Sequence, residues 1–129
     1  MRNASTIRST VRGLTRVQGV WTGGGAAASC TKAAADHNDG ILGVAYNVAT
    51  GKYKVAFSDV GQQIVFADCK VCGLTGVPPV TANVLRGTYD RAAKTVEVEF
   101  YDLAGALIDL LVTDKVLCVF EMSNFAPDT

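Results

Sequence analysis

Two cysteines three positions apart are the feature of this chain that most resembles a reactive site. They are Cys69 and Cys72, in the segment CKVCG at residues 69–73. Two thiolates at this spacing, followed by glycine, make half of a structural zinc site, which needs four ligands in all. The remaining cysteines, Cys30 and Cys118, stand singly and far away in the sequence. Cys69 and Cys72 are therefore weak metal candidates, and we expect no cofactor.

The pattern around this pair gives a geometric reason against chelation. On an unbroken strand, residues three apart point to opposite faces. We expect Cys69 to face inward with Val65, Ala67 and Val71, and Cys72 to face the other way. The alternatives are buried small thiols or an incidental disulfide, and thiols are the default in a reducing cytosol.

The single histidine lies in a segment that is typical of a turn. His37 belongs to the polar segment DHNDG at residues 36–40, whose Asn and Asp side chains favour local bonds to the backbone. A hydrolase triad needs an oriented base beside its nucleophile, and no spacing pairs His37 with Cys30. Residues 50–52, TGK, resemble the end of a phosphate-binding loop but lack its first glycine and its closing hydroxyl. We assign no catalytic residue and expect the chain not to be an enzyme.

Two acids, Glu97 and Glu99, share one face of a predicted strand. Paired carboxylates can hydrolyse glycosides. A solvated sheet face is the simpler interpretation, on which these acids could meet Lys52 or Lys54 across strands.

Charge is unevenly distributed, although 12 basic and 12 acidic residues balance over the whole chain. The first acid is Asp36, and four arginines precede it. We predict that residues 1–13 form a mobile basic arm that can order on a partner. Docking on an acidic protein surface ranks first, a solvated tail second and nucleic acid third, because no aromatic residues are interleaved for base stacking. The candidate contact residues are Arg2, Arg8, Arg12 and Arg16.

Alternation with period 2 is the main structural signal of the body. Residues 52–58 and 95–101 alternate apolar and charged side chains, as half-buried antiparallel strands do. Residues 64–72 and 116–122 are nearly continuous apolar runs, which predict central strands covered on both faces. Residues 107–112 are a further predicted strand. The set predicts an all-β fold, an antiparallel β-sandwich or a jelly-roll-like domain.

The length of 129 residues suits one domain. We place the extended N-terminal arm at residues 1–13 and the β-sandwich domain at residues 14–129. Residues 26–36 are rich in alanine and are ambiguous between a short helix and a strand. The chain has no apolar run of ~18 residues and no apolar core of an export signal, so we expect no membrane contact.

Four segments of the body are similar to segments of one known class of protein. They are residues 19–24 (GVWTGG), 29–32 (SCTK), 49–53 (ATGKY) and 89–98 (YDRAAKTVEV). As a set they resemble small head proteins of tailed bacteriophages, the decoration or cement proteins that bind the outside of the capsid. The likeness spans most of residues 19–121. It implies a β-rich body, often trimeric, that clamps neighbouring capsomers, and it brings no catalytic residues with it.

The resemblance implies a virion structural protein that decorates and stabilises a phage capsid by binding the major capsid protein. We expect the contact in residues 1–18, with Trp21 as a core anchor or as an interface anchor. A homotrimer is favoured because it would match a three-fold site. The protein would be made in the host cytoplasm and end on the capsid surface. The alternatives are another virion component, such as a tail-tube, head–tail connector or fibre-head protein, and a small enzyme.

Overall fold

The structure is a computed structural model that describes residues 14–23, 30–32, 38–46, 49–58, 61–74, 79 and 81–123. Over these residues the chain forms strands and no helix, which confirms the all-β prediction. No helix in this part of the chain is therefore long and apolar enough to cross a membrane. The strands are β1 (Leu14–Thr22), β2 (Thr31–Lys32), β3 (Asn38–Asp39), β4 (Ile41–Tyr46), β5 (Lys52–Phe57), β6 (Gln63–Cys72), β7 (Thr81–Asp90), β8 (Thr95–Tyr101) and β9 (Lys115–Ser123).

The described strands form two antiparallel sheets. One sheet has the order β2-β1-β9-β6, with β3 also paired to β1, and the other has the order β4-β5-β8-β7. The long ladder between β1 and β9 runs from Leu14 opposite Ser123 to Thr22 opposite Lys115. The first strand therefore lies inside its sheet, with β9 on one side and the two short strands on the other.

The two sheets pack face to face through aromatic side chains, in the manner of a sandwich. At one end of the interior, Trp21 of β1 lies 5.8 Å from Tyr53 and 5.9 Å from Phe100, measured between ring centroids. At the other end, Phe57 of β5 meets Phe120 of β9 at 5.0 Å in an edge-to-face contact. Such tilted pairs add about 0.5–1.5 kcal/mol to the burial of their apolar area.

Charged residues of β5 and β8 lie on the outer face, as predicted, although Glu99 is only 9% exposed there. Tyr53, Val55 and Phe57 are fully buried, whereas Lys54 is exposed. Since the period of a strand is 2, burying one set of residues places the alternate set on the outer face. The alternation predicted for residues 52–58 and 95–101 is confirmed.

Strand β6 differs from the prediction, because it lies at an edge and contains a bulge. Within the described residues it pairs with β9 alone, and its register shifts between Ile64 and Phe66. The extra residue of a bulge reverses which side chains face inward. Ile64 is therefore buried, Phe66 is 56% exposed, and Val65 is exposed rather than inward as predicted.

Strand β9 is central, as predicted, but only one of its faces is covered. Leu117 is 48% exposed, whereas Val116 and Cys118 are fully buried. The prediction of cover on both faces for residues 64–72 and 116–122 is wrong. In a two-layer fold each sheet has a single inner face.

The predicted strand at residues 107–112 is wrong as well, since this segment closes one end of the sandwich. The amide of Leu110 donates to the hydroxyl of Tyr53 at 2.9 Å, and the amide of Gly51 donates to Oδ1 of Asp109 at 2.8 Å. Leu110 is buried. Bonds to side chains thus take the place of most of a ladder, and the buried side chain of Leu110 closes this end of the interior.

Gly51 provides a test of this closed end. Its φ is +72°, and a Cβ there would lie 2.9 Å from the Ile108 nitrogen. We expect Gly51→Ala to lower the free energy of unfolding by about 1–3 kcal/mol, through a strained φ and a backbone clash. Chemical denaturation monitored by tryptophan fluorescence measures it.

The matched control is Gly87→Ala in β7, where an added Cβ meets nothing within 4 Å. That change should be neutral or stabilising by up to about 1 kcal/mol. Equal losses in the two variants would contradict the role given to Gly51.

Candidate functional site

The two metal candidates lie on opposite faces of β6, as the strand geometry predicted. Cys69 is buried and faces the interior, whereas Cys72 is exposed near the end of the strand. In the part of the chain that the structure describes, no group of three or more histidine, cysteine or acidic side chains could hold a metal ion.

Cys69 instead meets Cys118 of the neighbouring strand. The two residues are register partners on β6 and β9, and their Sγ atoms are 3.0 Å apart. The indole Nε1 of Trp21 donates to the Sγ of Cys118 at 3.1 Å. The hydrogen bond with Cys118 and burial both raise the pKa of the Cys69 thiol well above its ordinary value, so this thiol stays protonated at neutral pH.

The paired acids of β8 lie on the outer face of their sheet. Glu99 is opposite Lys52 and Glu97 is opposite Lys54, which confirms the expected meeting across strands. The Nζ of Lys52 lies 3.3 Å from Glu99 Oε2, and the hydroxyl of Tyr101 donates to Glu99 Oε1 at 2.6 Å. The carboxylate of Glu99 is thus committed to two neighbours, which suits a structural ion pair better than a glycosidase.

The candidate arm residues divide into two groups. Arg2, Arg8 and Arg12 lie outside the described residues, as does His37. Arg16 lies in β1, where its Nη2 is 3.4 Å from Glu121 Oε1 of β9. Arg16 therefore lies in a strand and not in the predicted arm at residues 1–13. The expected partner contact of Arg16 and of residues 1–18 stays a prediction.

The sequence offered two alternatives for Trp21, a core anchor or an interface anchor, and the structure shows a core anchor. Its side chain is fully buried between the sheets, against Tyr53 and Phe100. The interpretation of Trp21 as an interface anchor is wrong for this chain, since no part of the indole reaches the surface.

Sequence reasoning missed three strongly exposed apolar side chains in the segments that follow β6 and β8. Leu103 is 87% exposed and Val112 is 62% exposed in the segment between β8 and β9, and Leu74 after β6 is 74% exposed. An alternating pattern does not reveal such residues, because they belong to loops.

A groove separates the edge strands β6 and β7. It is lined on one side by Ala67 and Cys69 and on the other by Ala82. Arg86 crosses it with a bond of 3.4 Å from Nη1 to the carbonyl oxygen of Ile64, and the hydroxyl of Tyr89 donates to the Gly61 oxygen at 2.8 Å. Cys69, whose side chain faces inward, is thus among the residues that line this groove.

No protein-family model, curated protein or solved structure matches this chain. The likeness to phage head proteins therefore depends on the sequence segments alone.

The hydrogen bond of Tyr101 gives a spectroscopic test of the outer face of β8. Donation to Glu99 raises the pKa of Tyr101 above its ordinary value, because ionising the phenol would place two negative charges together. The resulting stability is present below pH ~10 and is lost as the pH rises through the raised pKa. We expect Glu99→Gln to lower the midpoint at which the Tyr101 hydroxyl ionises. Phenolate absorbance measures the titration, and subtracting the titration of Tyr101→Phe isolates the contribution of Tyr101.

Glu97→Gln is the control, since it removes the neighbouring acid of the same strand without touching this bond. An unchanged midpoint in Glu99→Gln, or an equal change in both variants, would refute the assignment.

Proposed function

We propose that this protein is a virion structural protein that decorates and stabilises a tailed-phage capsid by binding the lattice of the major capsid protein. The observation that carries the proposal is where the basic segment joins the body. β1 begins at Leu14, directly after the predicted arm at residues 1–13. The arm is thus continuous with an interior strand.

An interior strand is a good anchor for an arm under load. β1 pairs with β9 over all nine of its residues, and it pairs with β2 and β3 on its other side. Pulling on the arm would shear these ladders together, so many hydrogen bonds would have to break at once. A protein that holds capsomers in place needs such a connection between its contact and its body.

The charge of the arm suits an acidic site on a protein lattice. Arg2, Arg8 and Arg12 are accompanied by no acid before Asp36. Arginine forms paired hydrogen bonds with carboxylates, which gives direction as well as attraction. One arm would bind weakly, but many copies on a symmetric shell reinforce one another. A homotrimer would match a three-fold site on that shell.

A binding role also fits the chemistry of the described body. Its interior is filled by packed aromatic and aliphatic side chains. On the outer face of one sheet, Glu99 forms an ion pair with Lys52 and accepts a hydrogen bond from Tyr101. Contacts of such a protein therefore belong to its surface and its arm.

The test is co-sedimentation with expanded empty capsids of the phage whose genome encodes the chain. We expect the triple change Arg2→Ser, Arg8→Ser and Arg12→Ser to weaken binding by about threefold to one-hundredfold, since each exposed pair contributes about 0.2–1 kcal/mol. The melting temperature should not change, because β1 stays whole. Deletion of residues 2–13 should abolish binding.

Arg91→Ser is the matched control, because Arg91 is an exposed arginine of the β7–β8 hairpin. It should bind capsids as the parent does. Undiminished binding without the arm would sink the proposed contact. Binding to purified tails in place of capsids would move the protein to another part of the virion.

A further inference from the structure

The strongest unexplained feature is the pair of buried thiols between β6 and β9. Cys69 and Cys118 face each other directly across an antiparallel ladder. Opposed residues in such a ladder have Cα atoms about 4.5–5.5 Å apart, within the range that a disulfide spans. Their Sγ atoms lie 3.0 Å apart, so a movement of about 1 Å would bring them to bonding distance.

We propose that Cys69 and Cys118 are an oxidisable pair that closes to a disulfide between β6 and β9 when the folded chain meets a hydroperoxide. The inference needs only the folded chain and the oxidant, so it stands apart from the proposed function.

The surroundings give the two thiols different roles. Cys69 lines the groove between β6 and β7, beside Ala67 and Ala82, so a small oxidant can reach it. Cys118 is fully buried, and its sulfur accepts the indole hydrogen of Trp21 at 3.1 Å. Cys69 is therefore the thiol attacked first, and Cys118 is the one that resolves the intermediate.

The chemistry proceeds in two balanced steps. The sulfur of Cys69 attacks the terminal oxygen of the hydroperoxide, which forms an S–O bond and breaks the O–O bond. The thiol proton leaves with the alkoxide as an alcohol, and Cys69 becomes a sulfenic acid. The sulfur of Cys118 then attacks the Cys69 sulfur, forming the S–S bond. The S–O bond breaks, and water leaves with the proton of Cys118.

The first step should be slow. The hydrogen bond with Cys118 and burial raise the pKa of Cys69, and the thiolate is the reactive form. The exposed thiol of Cys72 should react sooner, and it would join separate chains. The pairing test therefore uses the Cys72→Ser variant.

The disulfide would fasten an edge strand to the centre of its sheet. Cys69 and Cys118 are 49 positions apart, and closing a loop of this size reduces the entropy of the unfolded chain. We expect the melting temperature of the oxidised chain to rise by roughly 10 °C. A thiol reductant should reverse the rise.

Trypsin makes the pairing directly readable, because cleavage after Lys and Arg places each cysteine in its own peptide. Cys69 falls in residues 55–70 and Cys118 in residues 116–129. We would treat folded Cys72→Ser with tert-butyl hydroperoxide, alkylate the remaining thiols in denaturant and digest. The expected product joins these two peptides, with two hydrogen atoms fewer than their sum, while Cys30 is alkylated.

Two controls separate this pairing from chance oxidation. The same treatment in denaturant should scramble the partners, because the fold no longer aligns them. Cys118→Ala in the Cys72→Ser background should stop at a Cys69 sulfenic acid that dimedone traps. Full alkylation of both peptides after treatment of the folded chain would overturn the proposal. So would a link from Cys69 to Cys30, or oxidation of Cys69 beyond the sulfenic acid with Cys118 still reduced.

Discussion

Aromatic packing between the inner faces of the two sheets is the constraint on which the rest of this structure depends. Trp21, Tyr53 and Phe100 meet at one end of the interior, and Phe57 and Phe120 meet at the other. Filling the interior with rings decides which side of every long strand faces inward, and the alternate side chains must then face solvent. Leu117 of β9 is exposed for this reason.

Strand β6 shows how the constraint shapes both surface and interior. Ile64 and Cys69 are both buried although an odd number of positions separates them, which an unbroken strand does not allow. The bulge beside Ile64 reconciles the two. It turns Phe66 outward, and it brings Cys69 opposite Cys118 within reach of the Trp21 indole. The same bulge therefore accounts for both the exposed Phe66 and the pairing of the two thiols.

The sequence predicts those features that depend on neighbours along the chain. Alternation located β5 and β8, and it anticipated the meeting of Lys52 with Glu99, because side-chain direction follows from period 2. It failed where distant contacts decide. The apolar segment around Leu110 has the pattern of a strand, but the Leu110 amide donates to the Tyr53 hydroxyl and no strand forms there. Nor does any local signal pair Cys69 with Cys118, since register across β6 and β9 is set by the whole ladder.

We propose that the arm at residues 1–13 is the part of this protein that binds the capsid. Amide hydrogen exchange of the chain on expanded capsids, compared with the chain in solution, tests it most directly. We expect new protection in residues 1–13, with exchange in β5 and β8 unchanged. Residues 1–13 that exchange equally fast in both states, or faster exchange in β5 and β8 on binding, would contradict it.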